Sequence, residues 1–291
     1  MKLPIHRVLT RPLALICLAL LALLGRPCAA QGTGSVANQG LTESLHRVAL
    51  KRGVDLNLLV NQRTGTSPSI AVLLFAGYPG ILQLREEGGA LVHGMGGNFL
   101  IRARRFLNTE QVFTVTVDCP MDEWNHCGDL YRTSAQHVQD VAEAIAAIRE
   151  KYGARQVYVV GTSYGTVSTS FLAAALEGQI DGAIHTATMT DPPHRPNAHG
   201  VAMARFDWSQ ARVPQLFIHH KDDPCVATRY RSVVARRGAV PLITVQGAVD
   251  IRGDACQART QHGFVGRERE TMAALHGWVT ERKLPAVVGE P

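Results

Sequence analysis

The sequence predicts an α/β fold, with a mostly parallel central sheet covered by helices on both faces. Three observations carry that expectation. From about residue 45 onward, apolar runs of strand length alternate with amphipathic stretches of helix length. Runs such as Ile70 to Phe75 (IAVLLF) are apolar at every position, as in strands buried on both faces. One such run, Val157 to Val160, passes through Gly161-Thr162-Ser163-Tyr164-Gly165 directly into an apolar helix reaching Leu176.

The elements follow in order. Leu45 to Val60 holds two strand-like runs around Lys51-Arg52-Gly53, read as an antiparallel hairpin at a sheet edge. Ile70 to Phe75 is the first buried strand and ends in Ala76-Gly77-Tyr78-Pro79-Gly80. After a glycine-rich stretch, Phe99, Leu100 and Ile101 begin a helix running toward Leu107, and Val112 to Val117 is a strand ending at Asp118. Thr133 to Gly153 is the clearest helix. Thr133 and Gln136 offer a capping box, Val138, Val141, Ala142, Ile145 and Ile148 form one apolar stripe, and Gly153 stops it. Ile180 to Ala187 is a further strand, and residues 190–212 form an irregular, Pro- and His-rich, polar excursion. The strand Val213 to His219 ends in Lys221-Asp222-Asp223-Pro224. A helix with Tyr230, Val233 and Val234 and a strand Val240 to Val245 follow. A loop with Cys256 and His262 leads to a last helix near Glu268 to Arg282.

The first thirty residues read as a leader. Lys2, Arg7 and Arg11 precede the apolar run Leu13 to Leu24, and small residues after Pro27 offer a cut after Ala30. Twelve apolar residues are too few to span a bilayer, so no stable membrane anchor is expected. Residues 31–40 form a flexible lead-in, and 41–291 a single domain. The leader carries Lys2, Arg7, Arg11 and Arg26 and no acid, so the formal charge of +6 falls by four to +2 in the mature chain. That removes the argument for a nucleic-acid partner. Cys119, Cys127, Cys225 and Cys256 remain, an even number that suits two disulfides in a secreted or periplasmic protein.

A strand, a sharp turn and a helix with serine at the apex push Ser163 Oγ out over the sheet end. Strand and helix then pass closely on either side, which accounts for Gly161 and Gly165. The helix N-terminus points its free N–H groups at the serine. The bland alternative is a tight Gly-Ser turn. A serine nucleophile needs a base oriented by a carboxylate, and in parallel sheets such groups gather at the carboxyl ends of strands. Asp223 is the expected acid because it stands directly before the turn at Pro224, with Asp222 second and Asp191 third. His262 is the expected base, since it lies beyond the last strand, is followed by Gly263 and completes the order Ser, Asp, His. His276, inside the last helix, is read as packing or surface. The oxyanion hole requires two backbone N–H groups, expected at Tyr164 and Tyr78.

FAGYPG, GGNFLIR, Asp118, GTSYGTVS, HHKDDPC and CQARTQHGF together resemble the α/β hydrolases, and more closely exported bacterial members of poorly defined substrate. The resemblance runs from about residue 45 to 283 and implies an α/β-hydrolase fold with a Ser-His-Asp triad. It departs from the family's frequent His-Gly oxyanion loop, having Ala76-Gly77. The excursion at 190–212 is too short for a large lid. Short acyl esters of small molecules or polymers are therefore the expected substrates, with a peptidase or amidase on the same triad, or a non-catalytic binding protein, as the competing readings. No cofactor is expected. His219 and His220 are adjacent on a strand and point to opposite faces, which argues against a metal site there. Arg102, Arg104 and Arg105 read as a solvated helix face. Cys225 lies two residues after Asp223 and Cys256 six before His262, so a hydrogen bond between acid and base makes a Cys225–Cys256 bond the expected pairing, leaving Cys119 with Cys127.

Overall fold

The computed structural model describes residues 40–192 and 199–290; the expected leader and nearly all of the lead-in lie outside them. The strands in chain order are β1 (Leu41–Ala49), β2 (Asp55–Arg63), β3 (Ile70–Phe75), β4 (Arg85–Glu87), β5 (Ala90–Val92), β6 (Val112–Val117), β7 (Gln156–Thr162), β8 (Gly182–Thr186), β9 (Gln215–His220), β10 (Leu242–Val245) and β11 (Val287–Val288). The helices are α1 (Phe99–Ala103), α2 (Asp129–Arg132), α3 (Ala135–Tyr152), α4 (Gly165–Ala175), α5 (Tyr230–Arg236) and α6 (Glu268–Glu281). Nine strands form one sheet in the order β1-β2-β6-β3-β7-β8-β9-β10-β11. Only β2 runs against its neighbours.

Every residue of β3, β6, β8 and β9 is buried, because helices cover both faces. Alternate residues serve opposite cores, as the pleat requires. Leu73 and Phe75 of β3 pack with Val141, Ile145 and Ile148 of α3 and Leu172 of α4. Val72 and Leu74 pack with Phe99 and Leu100 of α1 and Met272, Leu275 and Trp278 of α6. Each such side chain, fully buried, contributes about 1.5–3 kcal/mol of transfer free energy.

Several local expectations are corrected. The N-cap of α3 is Ser134, whose hydroxyl accepts from the His137 amide at 3.1 Å. Thr133 is occupied by the preceding short helix: its hydroxyl donates to the Asp129 carbonyl at 2.8 Å. The excursion is not simply polar. Met203 and Trp208 are buried on it, packing with Tyr164 and Val167, and the Trp208 indole donates to Ser170 Oγ at 3.1 Å. Arg102 and Arg104 are not solvated. Their side chains are only 10% and 12% exposed and pair with Glu268 and Glu43.

Candidate active site

The elbow is built by contact. A Cβ at Gly165 would lie 2.1 Å from the Phe75 carbonyl oxygen, and one at Gly161 would lie 2.5 Å from the Gly165 oxygen. The end of β7 and the start of α4 therefore tolerate no side chain at either position. Gly165→Ala is expected to cost about 3 kcal/mol or more, since backbone must move to admit the methyl. Gly96→Ala, with nothing within 4 Å of its added Cβ, is the control. Equal melting temperatures for the two variants would contradict the close approach.

Between these glycines Ser163 has φ 52°, in the left-handed region that disfavours side chains. Its neighbours hold it there. The Ser163 amide donates to the Thr186 carbonyl at 3.0 Å, and the Ser163 carbonyl accepts from the Thr166 amide at 2.9 Å and the Thr166 hydroxyl at 2.6 Å. Tyr164, next along, is buried. Its hydroxyl donates to Asp129 at 2.6 Å, and its ring lies 4.9 Å from the Arg132 guanidinium. Burial first, then the Asp129 carboxylate, raises the Tyr164 phenol above its ordinary value. Tyr78 is exposed, with its ring against His199 at 4.4 Å. The loop that carries it reaches the elbow, since a Cβ at Gly77 would lie 3.3 Å from Ser163 Cβ. Among the described residues the amides of Tyr164 and Tyr78 donate to no other group.

Asp223 and His262 meet. Asp223 Oδ2 lies 3.1 Å from His262 Nδ1, and the carboxylate side chain is fully buried. Asp223 Oδ2 also accepts from Thr228 Oγ1 at 2.8 Å, and Oδ1 accepts from the Cys225 amide at 2.9 Å. Thr228 Oγ1 is 3.1 Å from His262 Nδ1 as well. Burial pushes the Asp223 carboxyl upward, but the His262 hydrogen bond, the nearby imidazoles and the Cys225 amide outweigh it, and the net direction is down. Asp222 is exposed, and its amide donates to His220 Nδ1 at 3.0 Å. Asp191 takes the Thr190 hydroxyl at 2.9 Å and faces Arg229 at 3.7 Å. His276 is bonded to Thr109 Oγ1 at 3.1 Å on α6.

Sequence reasoning assigns three residues here no role at the site. Thr228 braces acid and base together. Arg102 donates to the Gly263 carbonyl at 2.6 Å and to Glu268, tying the His262 loop to α1 and α6. Asn98 caps α1 by accepting from the Leu100 amide at 3.1 Å, with its amide nitrogen beside Gly77. Two disulfides flank the region, Cys225–Cys256 and Cys119–Cys127.

Ser163, Tyr164, Tyr78 and His262 line one cleft of about 940 Å³. Met95, Phe99, Met189 and Ala227 give it apolar walls, and the Cys225–Cys256 bridge forms part of its rim. His220 Nε2 donates to the Gly247 carbonyl at 3.0 Å, so both its nitrogens are taken by backbone. Burial pushes His219 down to about 4, which keeps it neutral. Among the described residues no group of three or more His, Cys, Asp or Glu could hold a metal, and no helix is long and apolar enough to cross a membrane. His194 lies outside the described residues. His185 is buried and bonded to Thr169 Oγ1 at 2.9 Å.

The sheet order, with a serine elbow between β7 and α4, is that of the α/β-hydrolase fold, and the comparisons agree on that fold. The family described as "Serine aminopeptidase, S33" matches residues 128–261. No curated protein matches in sequence. Among solved structures, the chain is similar to a cold-adapted esterase from an Arctic intertidal metagenomic library, with TM-score 0.57 and 15% identity over 84% of this chain and 95% of that one. It is similar to Est1E from Butyrivibrio proteoclasticus, with TM-score 0.55 and 13% identity over 82% and 98%, a protein also solved with ferulic acid bound. A Xanthomonas campestris α/β serine hydrolase without a lid gives TM-score 0.52 and 14% identity over 86% and 97%. The chain has the α/β-hydrolase fold that these structures share.

Proposed function

We propose that this chain hydrolyses carboxylic esters through an acyl-enzyme at Ser163. The observation that carries the reading is the 3.1 Å contact between Asp223 Oδ2 and His262 Nδ1, on the cleft where the strained Ser163 sits. With Nδ1 donating to Asp223, Nε2 of the imidazole is the free acceptor. His262 takes the Ser163 proton as Oγ attacks the ester carbonyl, then gives it to the departing alcohol. Water repeats the sequence on the acyl-enzyme and releases the acid. The tetrahedral oxygen is held by the Tyr164 amide at the positive end of α4 and by the Tyr78 amide. The whole chemistry is supplied by side chains and backbone, without a cofactor.

Esters are favoured over peptides for a specific reason. A serine aminopeptidase must hold a substrate ammonium, and among the described residues lining the cleft there is no Asp or Glu. The Arctic structure is named an esterase, and ferulic acid bound to Est1E is a carboxylic acid of the kind ester cleavage releases. The amidase reading rests on the family match alone. A panel of 4-nitrophenyl esters and aminoacyl 4-nitroanilides separates the two. Turnover of the anilides above the esters would reverse the assignment, and no labelling of Ser163 by a fluorophosphonate would favour a binding protein.

The mature enzyme is exported, secreted or periplasmic, after cleavage behind Ala30, and acts as one domain from residue 41. The two disulfides support that compartment. The Cys225–Cys256 bridge spans 31 residues, worth roughly 3–4 kcal/mol in the chain-entropy model, and joins the loops carrying Asp223 and His262. Cys225→Ser and Cys256→Ser should therefore lose activity alike, by about tenfold or more, as acid and base drift. Reduction of the wild type should do the same. Full activity in both variants would remove the clamp.

A further inference from the structure

The loop between β10 and α6 supplies part of the cleft wall, and the charged side chains it places there are arginines. Arg252 and Arg259 both line the cleft, with Gln257 between them, and no described carboxylate joins them. The backbones of the two arginines are paired across the loop, the Arg252 amide donating to the Arg259 carbonyl at 2.8 Å. The Cys225–Cys256 bridge anchors the loop between them to the segment carrying Asp223. Both side chains are exposed, and neither makes an ion pair with a described residue. Asp250 and Asp254, the two acids on the same loop, lie outside the lining, and the Asp254 carboxylate accepts from the Gln257 amide at 3.4 Å. Arg102, the next cation inward, is already paired with Glu268. Two cations left unpaired in a site built to take a substrate will favour an anion there, because guanidinium forks pair with carboxylates.

We propose that the preferred esters carry a free carboxylate, which Arg252 and Arg259 hold at the rim of the cleft. The inference rests on the ester-hydrolase reading. Either half of the ester can carry the carboxylate, and matched substrates tell the halves apart. Mono-4-nitrophenyl adipate against 4-nitrophenyl hexanoate places the charge on the acyl half at constant chain length. 4-Carboxyphenyl hexanoate against 4-carbamoylphenyl hexanoate places it on the leaving alcohol.

In at least one pair kcat/KM should favour the anion by about tenfold at low salt, or about 1.4 kcal/mol. The ratio should shrink at high ionic strength, since the arginines are exposed. In the double variant R252Q/R259Q the ratio should fall to about one. A loop that was merely disturbed would lower both members of a pair together and leave the ratio unchanged. Monomethyl adipate binding to Ser163→Ala, measured by calorimetry, gives a readout free of turnover. Binding that disappears in the triple variant with R252Q/R259Q supports the anion site even if no ester is cleaved, in which case the ester reading alone fails. Cleavage of neutral esters with no preference for the anion in either pair overturns the proposal and leaves the ester reading standing. A preference that survives in R252Q/R259Q overturns it as well.

Discussion

Ser163→Ala should reduce ester turnover by at least about a thousandfold while leaving the fold intact. The serine hydroxyl makes no hydrogen bond to a described residue that the fold depends on; the elbow is held through the Ser163 backbone, by Thr186 and Thr166. Alanine keeps those bonds. It also keeps the left-handed φ of 52°, since alanine and serine suffer the same Cβ crowding there. The melting temperature should therefore move by no more than a degree or two, and the circular dichroism spectrum should not change. What remains is the oxyanion hole and the cleft, which together give a small residual rate. Labelling by a fluorophosphonate should vanish with the activity. A variant retaining more than about one per cent of wild-type kcat/KM would remove Ser163 as the nucleophile.

The strands and the elbow were legible because they rest on local signals. The runs IAVLLF and VFTVTV are apolar throughout, and the glycines around Ser163 sit where the contacts require them. Other features left no such trace. The strands β4 and β5 have three residues each, too short for a period to show, although Gly88-Gly89 with φ of 58° and 79° is a hairpin turn in its own right. The two-residue β11 follows the last helix without any pattern of its own. Ser134 and Thr133 are both competent caps, and the choice between them was decided by α2, which the sequence did not announce. The role of Arg102 depends on Gly263 and Glu268, which are 161 and 166 residues away. Read locally, it belongs to a basic helix face. Thr228 has the same difficulty, because a threonine five residues past an aspartate looks like any turn residue until the loop closes around it.

Asp223→Asn should lower kcat by about ten-thousandfold, whereas Asp222→Asn should change it by less than about twofold. The two carboxylates are adjacent in sequence and differ in what surrounds them. The side chain of Asp222 is exposed, and only its backbone amide is engaged. Asp223 is enclosed, with Oδ1 fixed by the Cys225 amide and Oδ2 shared by Thr228 and His262 Nδ1. All three partners donate to it, so an amide cannot replace the carboxylate without turning an N–H toward one of them. Where it meets the imidazole, it forces the proton onto Nε2 and removes the base that Ser163 needs. The loss should appear in kcat more than in KM, because Asp223 is buried behind His262 and does not line the cleft. A second consequence separates this from simple damage. The Asp223 carboxyl is held below its ordinary value in the folded chain, so its contribution to stability is present above the normal carboxylate range and is lost as the pH falls through that depressed value. Asp223→Asn should be less stable than wild type near neutral pH, and the gap should close on acidification. If Asp222→Asn proves the more damaging substitution, the register at the end of β9 is displaced by one residue, and the acid in this site is Asp222.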